Sequence, residues 1–221
     1  MKKKHKQINQ ANQSEIKSVI NLFSDNKLKE ALEMVSVLIN KFPQDSILLN
    51  IRGACEAGLG SLQESVKSYK KAIELNPNYA KAFYNLGGVY HEMEMMKDSI
   101  QCYKKAISLD PYFSEAHNNL GNVYKGLKRM DEAVKSFQNA IDISPNYIEA
   151  LFSLALVLQS MGSLESIEYY KKLLTLKPDF IQVHINLANH LKRINHIDEA
   201  IISYKNDLDI DPNNIEALNN L

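Results

Sequence analysis

The chain has 221 residues, 45% hydrophobic and 24% charged, and its 26 Lys plus Arg are balanced by 26 Asp plus Glu. This composition is that of an ordinary soluble folded protein. The even balance argues against a general nucleic-acid binder, and no apolar run of about 18 residues is present to cross a bilayer. At the front, Met1-Lys2-Lys3-Lys4-His5-Lys6 has the charge of a signal-peptide n-region, but Gln7 to Gln13 is polar and no apolar h-region follows, so secretion is not expected. Residues 1–11 read as a disordered basic tail. The two cysteines, Cys55 and Cys102, lie far apart without a C-x-x-C pair, which fits a reducing, cytoplasmic setting better than a disulfide framework.

The prolines set the organisation. There are six, at Pro43, Pro77, Pro111, Pro145, Pro178 and Pro212, with intervals of 34, 34, 34, 33 and 34 residues. Such a period marks a repeat protein. Aligned on the prolines, the repeats are 12–45, 46–79, 80–113, 114–147, 148–180 and 181–214, followed by a stub, 215–221. Apolar residues recur at three and four within each repeat and predict two helices, with no alternating β-branched run to suggest strands. In repeat 114–147, for example, His117, Leu120, Gly121 and Tyr124 mark the first helix, and Ala133, Phe137 and Ala140 the second. Gly60 and Gly162 fall at the same place between two helices, where a left-handed turn residue is useful, and the Asn-Pro, Asp-Pro, Ser-Pro and Lys-Pro pairs close the second helices. Repeat 148–180 is one residue short, and the alignment places the deletion in or beside its inter-helix turn.

The sequence resembles the tetratricopeptide repeat family. That pattern has a large residue at repeat position 4, Leu-Gly at 7 and 8, Tyr at 11, Ala at 20, an aromatic at 24, Ala at 27 and Pro at 32. Repeat 80–113 supplies Phe83, Leu86, Gly87, Tyr90, Ser99, Tyr103, Ala106 and Pro111, and repeat 114–147 matches equally closely. Small residues at 8, 20 and 27 let two helices approach, while the aromatic at 24 fills the space between hairpins. Departures grow outward: repeat 12–45 keeps only Ala31 and Pro43 and has Val19 where Gly is expected, and the last two repeats have Ala155 and Ala188 there. The resemblance implies an all-α, right-handed superhelical solenoid of about six hairpins plus a truncated seventh first helix, with the first helices lining a concave groove.

Positions 2, 6, 9 and 13 lie opposite the packing side of each first helix, with 5 and 12 flanking, and are free for a partner. Position 6 carries Ile51, Asn85, Asn119, Ser153 and Asn186, and position 9 carries Ala54, Gly88, Asn122, Leu156 and Asn189. A carboxamide both donates and accepts, so these asparagines suit the backbone of an extended polypeptide. Lys81, Lys125 and Lys192 join them at positions 2 and 12, and Tyr84 and Phe152 at position 5. Apolar groove residues at Ile47, Ile51 and Ala54, and at Phe152 and Leu156, suggest side-chain pockets; for the former set, packing against the degenerate first repeat is an equal alternative.

The asparagine rows resemble the repeat domain of O-linked N-acetylglucosamine transferases, which holds substrate backbones, although no transferase domain is present. Groove charges nearly cancel, which disfavours RNA. The carboxylate-clamp form of the family, which takes chaperone C-termini, needs Lys and Asn at positions 5 and 9 of one repeat, Asn at 6 of the next, and Lys with a basic residue at 2 and 6 of the third. No such trio occurs.

Catalytic chemistry is not legible. The histidines are scattered without zinc spacing, and His117 and His184 sit at the packing position 4. His91, Met93, Met95, Met96 and Cys102 resemble a soft-metal cluster, but methionines filling gaps at a turn account for them better. Asp207, Asp209 and Asp211 begin like a calcium loop, yet Pro212 stands where its glycine is required. Phosphate-binding and nucleophile-elbow motifs are absent.

The expected function is a non-catalytic protein-interaction scaffold without cofactor or metal, binding a protein or peptide segment and neither nucleic acid nor membrane. The alternative is the substrate-recruiting N-terminal part of a longer, glycosyltransferase-like enzyme. The stub covers only part of the apolar face of the helix expected over 198–209, so the chain is expected either to be a truncated piece or to self-associate through its uncapped C-terminal edge.

Overall fold

The computed structural model describes residues 11–221, and the expectation for the rest of the basic tail lies outside them. Among the described residues the fold is all-α, and each repeat forms a helical hairpin. The chain divides into two compact bodies, one ending at Tyr112 and the other Phe113–Leu221.

The first body holds α1 (Gln13–Ser24), α2 (Leu28–Lys41), α3 (Ser46–Gly58), α4 (Leu62–Leu75), α5 (Ala80–Glu92) and α6 (Met96–Leu109). Asn12 opens α1 in a capping box with Glu15. Asp45, buried, caps α3 through the N–H groups of Ile47 and Leu48, and its other oxygen accepts from the Ala11 N–H at 3.0 Å. Ala11 is thereby anchored to the first body. The degenerate repeat 12–45 packs through Val19, Ala31, Val35 and Leu38 against Leu48, Ile51 and Cys55 of α3. Ile51 thus belongs to the core, and the packing alternative holds for it.

The second body holds α7 (Ser114–Gly126), α8 (Met130–Ile143), α9 (Ile148–Ser160), α10 (Glu165–Leu176), α11 (Ile181–Arg193), α12 (Ile197–Ile210) and α13 (Ile215–Asn220). Within each body every second helix packs on the next first helix, as in α4 on α5 and α8 on α9.

Three local devices build the hairpin. The position-24 side chains Val35, Tyr69, Tyr103, Phe137, Tyr170 and Tyr204 are all buried. Opposite the rings of Tyr69, Tyr103 and Phe137 stand Gly53, Gly87 and Gly121, so closely that a methyl group at any of the three would meet the ring at 3.0 Å or less. Ser65 and Ser99, at the position where the family pattern has Ala, donate to the carbonyls of Gly53 and Gly87 at 2.7 and 2.8 Å. Finally, position 15 of every hairpin is left-handed, with φ between 58° and 79° at Asn26, Gly60, Glu94, Lys128, Gly162 and Asn195. The two glycines announce this turn. Glu94 and Lys128 adopt it because the hairpin requires it, against the ordinary preference of an L-residue.

Candidate functional site

The expected groove residues divide into those already engaged inside the protein and those that are not. In the first body, Lys81 stands over the Tyr84 ring at 4.5 Å, and Tyr84 packs at a tilt on Tyr103, with centroids 5.9 Å apart. The Asn85 amide donates to Oδ1 of the buried Asn50 at 3.0 Å. Its neighbouring first helix therefore takes up the donor that a ligand would need.

In the second body, Asn119 Oδ1 accepts from the buried Asn118 at 3.3 Å. Asn189 is engaged at both ends: Oδ1 accepts from the Tyr204 hydroxyl at 2.6 Å, and Nδ2 donates to Glu216 Oε1 at 2.9 Å. Lys192 reaches Oδ1 of Asn220 at 3.2 Å. By contrast, the side chains of Asn122 and Asn186 are half-exposed and make no hydrogen bond among the described residues. Lys125 is half-buried on the same helix as Asn122.

The contrast between Asn122 and Asn189 has a chemical cause. Both occupy position 9, above the position-24 ring of their hairpin. Tyr204 carries a hydroxyl that must find a partner as the ring is buried, and Asn189 supplies the acceptor. Phe137 has no hydroxyl, and Asn122 keeps both ends of its carboxamide unengaged. The Tyr170 hydroxyl likewise donates to Gln159, at position 12. In these last two hairpins the tyrosine at position 24 takes its acceptor from the first helix, a signal present in the sequence.

Phe152 forms a tilted pair with Phe180 at 5.2 Å, and Lys177 lies over the Phe180 ring at 5.0 Å. Tyr147, Ile148 and Glu149 complete an open cleft of about 420 Å³ around this pair. Phe180 and Tyr147 each end a loop before a first helix and were not foreseen as site residues. An aromatic just ahead of a first helix, at Tyr79, Phe113, Tyr147 and Phe180, was the available pattern.

His117 and His184 are buried, and the His184 Nε2–H donates to the Pro178 carbonyl at 2.8 Å. Met93 and Cys102 pack on the core around Leu86 and Tyr90, whereas His91 and Met95 are exposed. No three His, Cys, Asp or Glu side chains converge as a metal site among the described residues. Burial lifts both thiols, Cys55 and Cys102, to about 11, with the neighbouring carboxylates Glu56 and Asp98 adding to the effect. Among the described residues, no helix is long and apolar enough to cross a membrane.

Models of the tetratricopeptide repeat match residues 80–113, 114–147 and 148–180, and a TPR repeat model matches 58–94. The chain belongs to the tetratricopeptide repeat family. It is 32% identical over 73 residues to the Hsp70-Hsp90 organizing protein of Triticum aestivum, a match over 33% of this chain and 13% of that protein's length. Among solved structures, YrrB, described as a TPR protein with an unusual peptide-binding site, aligns with TM-score 0.72 and 23% identity over 84% of this chain and 96% of its own. PilF of Pseudomonas aeruginosa aligns with TM-score 0.79 and 16% identity over 93% and 94%. At these identities the likeness concerns the fold.

Proposed function

We propose that this TPR chain is a non-catalytic scaffold that takes an extended polypeptide along the first-helix face of its second body. The observation that carries the reading is the pair of unengaged carboxamides, Asn122 and Asn186, presented on that face. Each can grip a backbone amide from both sides. The Phe152–Phe180 cleft on the same body has the size and apolar walls to take one large side chain of such a segment. Lys177 and Glu149 at its rim carry opposite charges, which favours a segment without strong net charge.

Protein partners are supported by the family and by the likeness of part of the chain to Hsp70-Hsp90 organizing proteins. The absent clamp trio argues that the ligand is not a chaperone C-terminal carboxylate. The transferase alternative rests on a continuous asparagine ladder, and the internal engagement of Asn85, Asn119 and Asn189 interrupts that ladder. The scaffold reading is therefore favoured. It requires no cofactor or metal and no nucleic-acid or membrane partner, and the separated free thiols support a cytoplasmic setting.

The test is to select short peptides from a displayed library on the purified chain and measure their affinity by fluorescence anisotropy. Asn122→Ala with Asn186→Ala should weaken a selected peptide by about 5- to 150-fold, since at least one backbone hydrogen bond per carboxamide, at about 0.5–1.5 kcal/mol each, is lost. The melting temperature should barely move, because neither side chain holds the fold together. Unchanged affinity would refute the groove assignment.

A further inference from the structure

Repeat position 27 is sealed from solvent in the hairpins of both bodies, and it is occupied by Leu38, Ala72, Ala106, Ala140, Leu173 and, last, Asp207. A charged residue has been placed where the pattern calls for a small apolar one. Asp207 is 0% exposed, and neither carboxyl oxygen has a hydrogen-bond partner among the described residues. In the first body, position 27 clusters with position 4 of its own hairpin and position 3 of the next first helix, as Leu49, Ala72 and Ala82. The same three places in the last hairpin are His184, Asp207 and Ala217, all buried. An apolar trio has thus become a histidine and a carboxyl closed over by α13.

The neighbouring ring is short of partners too. His184 Nε2–H is used by the Pro178 carbonyl, and its Nδ1 is buried without a hydrogen bond. A neutral carboxyl can be sealed in such a place at far less cost than an ionised one. A carboxylate there would be buried with no hydrogen bond from the surrounding helices within ordinary distance. The groups facing Asp207 are His184 from α11, Asp211 at the end of its own helix, and the Asn214 side chain and Glu216 from the α13 side. Burial pushes the Asp207 carboxyl above its ordinary range; His184 and Asn214 oppose this, while Asp211 and Glu216 reinforce it.

We propose that Asp207 is a proton-controlled latch on α13: the neutral carboxyl lets α13 close over the last hairpin, and ionisation loosens it. The consequence reaches the binding face. Closed α13 holds the Asn189 amide nitrogen through Glu216 and the Lys192 ammonium through Asn220, so its release frees these two donors while Asn189 Oδ1 stays with Tyr204. Because the folded carboxyl keeps its proton to higher pH than the unfolded one, the packing of α13 is firmest below the ordinary carboxyl range and weakens as pH rises through the elevated value.

The experiment is amide hydrogen exchange on the full chain at pH 4.5 and pH 8, corrected for intrinsic rates, and needs no ligand. Protection over residues 211–220 should fall at the higher pH by roughly tenfold for each pH unit by which the carboxyl is raised. Asp207→Asn, which cannot ionise, should keep α13 protected throughout. Asp207→Ala, which restores the residue of three other hairpins, should do the same and serves if the amide variant folds poorly. Flat protection in the wild type, an equal fall in both variants, or variants less protected than wild type at pH 8 would overturn the proposal.

Discussion

Replacing Gly121 with Ala puts the hairpin packing to a quantitative test. An ideal Cβ at Gly121 lies 2.7, 2.8 and 3.0 Å from Cε1, Cδ1 and Cζ of Phe137, where ordinary contact begins at 3.4 Å. The ring must retreat by about 0.7 Å, yet Phe137 is 0% exposed and sits in a packed interior. Overpacking of this kind costs about 1–3 kcal/mol, and the better helix propensity of Ala returns about 1 kcal/mol. The expected net loss is about 1 kcal/mol, with about 2 kcal/mol as its upper figure. Gly126, on the same helix, has nothing within 4 Å of its ideal Cβ, so Gly126→Ala should instead gain about 0.5 kcal/mol. Urea unfolding of both variants, with the slope compared to wild type, separates the two effects by sign. Phe137→Leu in the Gly121→Ala background should cost less than the two changes summed, since a smaller side chain removes the clash. The chain contains its own precedent: Ala155 and Ala188 hold this position opposite Tyr170 and Tyr204, and the helices of those hairpins approach less extensively than those of the glycine hairpins. A Gly121→Ala protein stabilised over wild type, as Gly126→Ala is expected to be, would refute the packing argument.

The position-24 rule predicts that Phe137→Tyr brings a hydroxyl beneath Asn122 and weakens a selected peptide, while Tyr204→Phe releases Asn189 Oδ1 and leaves that peptide's affinity the same or higher; opposite shifts in anisotropy would contradict the rule. The exposed apolar side chains Ile202, Ile215 and Leu218, at 58%, 73% and 54%, are the place to test for self-association. Light scattering should then show a mass that rises with concentration in the wild type and stays monomeric in Ile202→Glu with Leu218→Glu, and a wild-type mass independent of concentration refutes it.

The helical hairpins were legible in the sequence because everything that makes them is local or repeats at a fixed interval. The prolines end second helices through their missing N–H, the small residues at position 8 lie a fixed number of residues from their rings, and the apolar period selects the packed side. Even the left-handed turns at Glu94 and Lys128, unannounced by glycine, follow from the register that Gly60 and Gly162 establish. The resemblance to a family added the meaning of each position but not the state of each side chain.

What only the tertiary structure decided is which polar groups remain available. Asn122 and Asn189 have the same residue type, repeat position and helix face, yet one is unengaged and the other bonded at both ends, because the hydroxyl of Tyr204 and the carboxylate of Glu216 arrive from different helices. Asp207 reads in the sequence as one acid of an acidic stretch, and burial beneath α13 beside His184 makes it the most constrained carboxyl of the last hairpin. Helix formation is set by neighbours along the chain, whereas hydrogen-bond satisfaction is set by neighbours across it. An exposed row on a helical wheel therefore names the candidates, and only the packed structure shows which of them a partner can still reach.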